Sequence, residues 1–79
     1  MLVPITHSHT EQHFAEIRIN DPSQLPRVGD TILVTGAGKG ELYVKVDHVL
    51  IHYERDSFGS TADFKWAKII AQKTSAHKA

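Results

Sequence analysis

From Glu41 to Glu54 the sequence runs without a glycine or proline and alternates apolar with polar side chains, through Leu42, Val44 and Val46 and then through Val49, Ile51 and Tyr53. A period of two is the mark of a strand with one buried face. The parity changes between Val46 and Val49 with no turn residue to account for it, which predicts a bulge or sharp bend near Asp47-His48. A chain with one long, bent strand must find partner strands for it, so the rest of the sequence is read for β structure.

His13 to Ile19 supplies one partner, with Ala15, Ile17 and Ile19 on one face and Glu16 and Arg18 on the other. Asn20-Asp-Pro-Ser-Gln-Leu-Pro26 stacks turn formers and two prolines, which fix φ and withhold backbone donors, so the chain reverses there. Arg27-Val-Gly-Asp30 leads into the β-branched run Thr31-Ile-Leu-Val-Thr35, which Gly36-Ala-Gly-Lys-Gly40 ends. Arg55 to Ser60 is a polar loop. Ala62 to Lys73 reads as a strand that alternates Phe64, Trp66 and Ile70; the alternative is a C-terminal helix over 61–73, begun by Ser60-x-x-Asp63. Residues 1–10 read as a loose N-terminal arm and 74–79 as a frayed tail. These segments predict a single all-β domain over residues 1–79. The expected form is a small antiparallel SH3-like barrel or strongly bent sheet of four to five strands, with an OB-like barrel second and α+β if the last segment is helical. Ile17, Ile19, Ile32, Val34, Val44, Val46 and Ile51 are its expected core.

With 79 residues and no cysteine, the chain has one marginal core and neither disulfides, thiolate metal sites nor a Cys nucleophile. Oligomerisation is then the expected source of further stability. The formal net charge is zero, which weighs against nucleic acid and anionic membranes as partners. Charge is nonetheless uneven, because from Thr61 onward Lys65, Lys68, Lys73 and Lys78 face only Asp63. No apolar run reaches the ~20 residues of a membrane helix and the first residues lack the pattern of a signal peptide, so a cytoplasmic location is expected.

Leu25-Pro-Arg-Val-Gly-Asp30, followed by a strand, glycines and Tyr43-Val-x-Val-x-His-Val49, resembles a scattered class of small bacterial proteins with SH3-like barrels and no assigned activity. The resemblance covers roughly residues 17–71 and implies fold, not function. In size and idiosyncrasy the sequence also resembles orphan reading frames of mobile gene cassettes.

Gly36-Ala-Gly-Lys-Gly40 lacks the spacing of a phosphate-binding Walker loop and no helix follows it, so it reads as a plain connection. His7, His9, Glu11 and His13 would share one side of an extended segment, an arrangement from which only weak metal binding is expected. No metal site and no cofactor are assigned. No Ser, His or carboxylate stands at a spacing that assembles nucleophile, base and orienting group, so no catalytic residue is named and an enzyme is not the favoured reading.

Closing the last hairpin around Phe58-Gly59 sets Tyr53 opposite Phe64, Ile51 opposite Trp66 and Val49 opposite Lys68. One face is then strongly apolar, and the other carries Leu50, Ala67 and Ile69 among His48, His52 and Lys65, more apolar than a solvent face should be. The expected function is therefore a non-enzymatic binding or assembly module, a homodimer or higher homo-oligomer that presents an aromatic patch to a protein or small ligand, with His48, Leu50, His52, Tyr53, Phe64 and Trp66 as ligand or interface residues. Imidazole changes charge near pH 6.5, so an interface through His48 and His52 is expected to weaken on acidification. Two alternatives stand beside it: a nucleic-acid-binding surface of Lys65, Lys68, Lys73 and Trp66, and a small oligomeric enzyme with its site on the symmetry axis.

Overall fold

The structure, a computed structural model, describes residues 1–74. Five strands, β1 (Leu2–His7), β2 (His13–Arg18), β3 (Thr31–Val34), β4 (Leu42–Arg55) and β5 (Ala62–Lys73), form one sheet in the order β2-β1-β5-β4-β3. It curls into a nearly closed barrel of the small SH3-like kind. β1 runs parallel to β5 and every other pair is antiparallel. Ala62–Lys73 is a strand, so the helical alternative is set aside.

The segment read as a loose arm is instead a central strand. Val3 and Ile5 are fully buried, and β1 lies between β2 and β5. Pro4 is what disguises it, since a proline inside a short apolar run reads as a strand breaker. Here the ring costs no ladder bond to β5, because pairing with β5 begins only at Ile5. At the other end the Thr74 amide donates to the Tyr43 carbonyl at 2.9 Å; the rest of the expected tail, 75–79, lies outside the described residues.

Two bulges decide which side chains point inward. The first leaves Asp47 unpaired between Val46↔Ala71 and His48↔Ile70, where the change of parity predicted it. The second is not visible in the sequence: Tyr53 pairs with Phe64 but His52 with Trp66, so Lys65 is the extra residue. The expected pairing therefore holds at Tyr53–Phe64 and slips by one beyond it, with Ile51 opposite Ala67, Leu50 opposite Lys68 and Val49 opposite Ile69. A slip of one exchanges faces. Ala67, Ile69 and Ala71 turn into the core, and Trp66 turns out beside His52.

The core comprises Val3, Ile5, Ile19, Val44, Val46, Ala67, Ile69 and Ala71, with Ile17, Ile32, Phe14, Leu42, Val49 and Phe64 packed partly against it. Of the residues expected there, Val34 is half-buried outside this cluster and Ile51 is the clear exception, at 42% exposed. The reason is length. β4 and β5 continue past the end of the barrel as a two-stranded arm, beyond the reach of any covering strand. The radius of gyration of 14.5 Å, against about 12 Å for a compact chain of this size, and principal extents of 49 × 25 × 24 Å express that projection.

The Arg27–Asp30 turn that introduces β3 follows its sequence. Gly29 takes φ +94°, the Asp30 amide donates to the Arg27 carbonyl at 3.0 Å, and the Asp30 carboxylate accepts from the Arg27 amide at 2.8 Å. Upstream, Asp21 caps the 3₁₀ turn Pro22–Gln24. The Ser23 hydroxyl, and then the Ser23 amide, donate to its carboxylate and hold it below the usual aspartate range.

Candidate functional site: the hairpin arm and the seam cleft

Alternation along the arm gives it two faces. On the inner face, continuous with the core, Tyr53 and Phe64 meet edge to face at 5.9 Å next to Ile51. On the outer face His52 lies over Trp66 at 5.0 Å, flanked by Leu50 and, one step nearer the barrel, His48. Leu50, Ile51, Tyr53 and Trp66 are each between 42% and 53% exposed. The six residues named from the sequence lie on two faces, back to back, with Tyr53 and Phe64 inside and His48, Leu50 and His52 outside as the expected pairing has them; Trp66, expected on the face of Tyr53 and Phe64, lies instead on the outer one. A strand in the body of a barrel spends one face on the core; this hairpin keeps apolar side chains on both and covers neither.

The tip carries a residue missed in the sequence because it sits in a polar loop. Phe58 is 90% exposed, held out by a tight turn. The Asp56 carboxylate accepts from the amides of Phe58 at 3.1 Å and Ser60 at 3.2 Å, and the Asp56 amide donates to the Thr61 carbonyl at 2.7 Å. An aspartate that binds its own loop in this way fixes the turn. The exposed aromatic is thus rigidly presented.

The lysines do not gather. Lys65 sits on the second bulge with its Nζ 3.5 Å from a Glu54 carboxylate oxygen. Lys68 is half-buried on the outer face. Lys73 is five residues further along β5, an odd spacing that places it on the opposite face. The histidines near the start do not line one side of an extended segment, because β1 ends at His7 and a turn intervenes before His13, although the His7 and His9 rings lie 5.8 Å apart. In that turn the His7 Nδ1 accepts from the amides of His9 at 3.0 Å and Thr10 at 3.3 Å. Among the described residues no group of three or more His, Asp or Glu side chains is placed to hold a metal ion.

At the far end of the molecule from the arm tip, edge strand β2 and the end of β3 bound a half-open cleft of about 300 Å³. Phe14 and Ala15 form one wall, Val34 and Leu42 the other, and the glycine loop with Lys39 the rim. That loop is a tight turn in which the Lys39 amide donates to the Gly36 carbonyl at 3.1 Å. Ala37 and Gly38 take φ +55° and +68°, the signs a type I′ turn requires. Beside it the Tyr43 hydroxyl donates to Glu41, which holds the phenol above its usual range.

Fold and surfaces define a small all-β barrel that extends one long hairpin beyond its body. No protein-family model, curated protein or solved structure matches the chain. No helix among the described residues is long and apolar enough to cross a membrane.

Proposed function

We propose that this chain is a non-enzymatic assembly module that works as a homo-oligomer, in its simplest form a twofold dimer, with the β4–β5 arm as the contact. The observation that carries this reading is an arm with apolar side chains half-exposed on both faces. The surplus of surface can be sized for the chain as a whole. The chain exposes 5886 Å², and a compact protein of 8.8 kDa exposes about 4,800 Å². The difference, roughly 1,100 Å², is comparable with the ~800 Å² each partner contributes to a standard stable interface. A second copy offers the matching surface by symmetry, the commonest arrangement among soluble oligomers. The outer patch of His52 and Trp66 adds the aromatic character typical of contact centres.

The nucleic-acid alternative loses support from the arrangement of its cations, one engaged by Glu54 and the other two on opposite faces. Light scattering across a concentration series tests the assembly reading. A dimeric mass at micromolar concentration near neutral pH is expected, shifting towards monomer in Trp66→Ser and Ile51→Ser. A wild-type protein that stays monomeric into the high micromolar range refutes it.

A further inference from the structure

We infer that Phe58 at the arm tip of one copy docks in the seam cleft of the other, so that the dimer is antiparallel, each arm laid along its partner's body. The inference rests on the self-association proposed above and names the contact that orients it. The tip cannot serve its own cleft. Leu42, in the cleft wall, and Arg55, at the tip, are the two ends of β4, on the order of 40 Å apart at about 3.3 Å per residue. That separation nearly spans the 49 Å long axis. When two such molecules lie side by side about a twofold axis perpendicular to that length, each tip comes level with the other's cleft, and both contacts form together.

The two sites match in chemistry and in size. Phe58 is a rigidly held aromatic with nothing covering it, the kind of side chain that anchors protein contacts when it enters an apolar pocket. The cleft is walled by Phe14, Ala15, Val34 and Leu42. At about 300 Å³ it is at the lower limit of small-molecule sites and has room for one phenyl ring. Lys39 at its rim and Asp56 two residues before Phe58 carry opposite charges, so docking brings together a cation and an anion that are far apart in one chain.

The absence of cysteine makes a direct test possible. Single-cysteine proteins Ser57→Cys, which keeps Phe58, and Thr35→Cys, on the cleft wall, are mixed and oxidised, with Glu16→Cys, on the exposed face of β2, replacing Thr35→Cys as the control. The expected product is the mixed 57–35 disulfide, in excess over either homodimer and over the control. Separately, Phe58→Ser is expected to raise the dimer dissociation constant at least tenfold, the equivalent of losing one buried aromatic. The melting temperature of the dilute monomer should stay unchanged, because the side chain is 90% exposed in its own chain. A dimer that Phe58→Ser leaves intact and that gives no preferential 57–35 cross-link overturns the inference, leaving the cleft to a small apolar ligand and the assembly reading in place. A wild-type monomer at high micromolar concentration overturns both.

Discussion

Ile51 and Ile69 are the same residue type on the same face of the same hairpin, yet the structure assigns them opposite roles. Ile69 is fully buried between β1 and β4, whereas Ile51, further along the arm, is 42% exposed. Truncation to alanine removes three carbons, worth about 2.4 kcal/mol at ~0.8 kcal/mol each when fully buried. At position 69 a cavity is left as well, and the total is expected to lie in the 2–5 kcal/mol range of large-to-small core changes. For a chain of this length the whole stability is only about 4–12 kcal/mol, so Ile69→Ala consumes much of it. At position 51 solvent fills the space, no cavity term arises, and the transfer loss scales to about 1.4 kcal/mol or less. The assay is urea denaturation at two protein concentrations, one below and one above the dimer dissociation constant. In dilute solution Ile69→Ala should lower the midpoint far more than Ile51→Ala. At high concentration the Ile51→Ala deficit should widen, because the wild type alone regains stability by association. Equal losses at both positions in dilute solution would refute the division of the hairpin into barrel and arm, and would return Ile51 to the core.

Deletion of residues 1–7 should abolish cooperative unfolding by circular dichroism, since it removes a central strand and with it Val3 and Ile5; a truncated protein that still melts cooperatively would mean β1 is dispensable. Ala37→Gly is expected to stabilise by about 0.5–1 kcal/mol in thermal melts, because Ala37 holds φ +55°, where a Cβ is strained and glycine is not. The Asp21 carboxyl should titrate, by NMR, below the usual value of 3.8, and Ser23→Ala should move it up. With the folded value depressed, the contribution of this cap is present above the unfolded aspartate value and is lost as pH falls through the folded one. An Asp21 that titrates normally in the wild type would show that Ser23 does not hold it.

Much of the fold is legible from local pattern. Alternation in His13–Ile19, Thr31–Thr35 and Glu41–Glu54 marks three strands, and Val-Gly-Asp marks the turn before β3. The parity change marks the Asp47 bulge. Each is a property of neighbours in the chain, where side-chain period and glycine's freedom at positive φ act directly. Pro4 hid β1 for the opposite reason, since whether a missing amide matters depends on which strand lies alongside, and that strand is β5, more than sixty residues away.

The candidate site was legible in part. That the last hairpin holds more apolar surface than one core can cover follows from composition and pairing alone, and Tyr53 opposite Phe64 was fixed by closing the loop at Phe58-Gly59. Which face receives Trp66, Ala67 and Ile69 depended on one unpaired residue, Lys65, whose position the sequence does not mark, although Lys68 on the expected apolar face and Ile69 on the other break the alternation. A bulge reverses every side chain beyond it, so this single backbone irregularity exchanged a tryptophan for two core residues. The same limit applies to Ile51. Its sequence neighbourhood is that of a core strand, and only the tertiary structure shows that the barrel ends before it, because burial depends on how far the covering strands extend. The cleft between β2 and the β3–β4 turn has the same origin: its walls come from segments some twenty residues apart, and their meeting is set by the curl of the whole sheet. The chain's own pattern determined that it would be a bent β domain with a surplus of apolar surface, while the packing of distant strands added β1 to the sheet and decided where that surplus would be left uncovered.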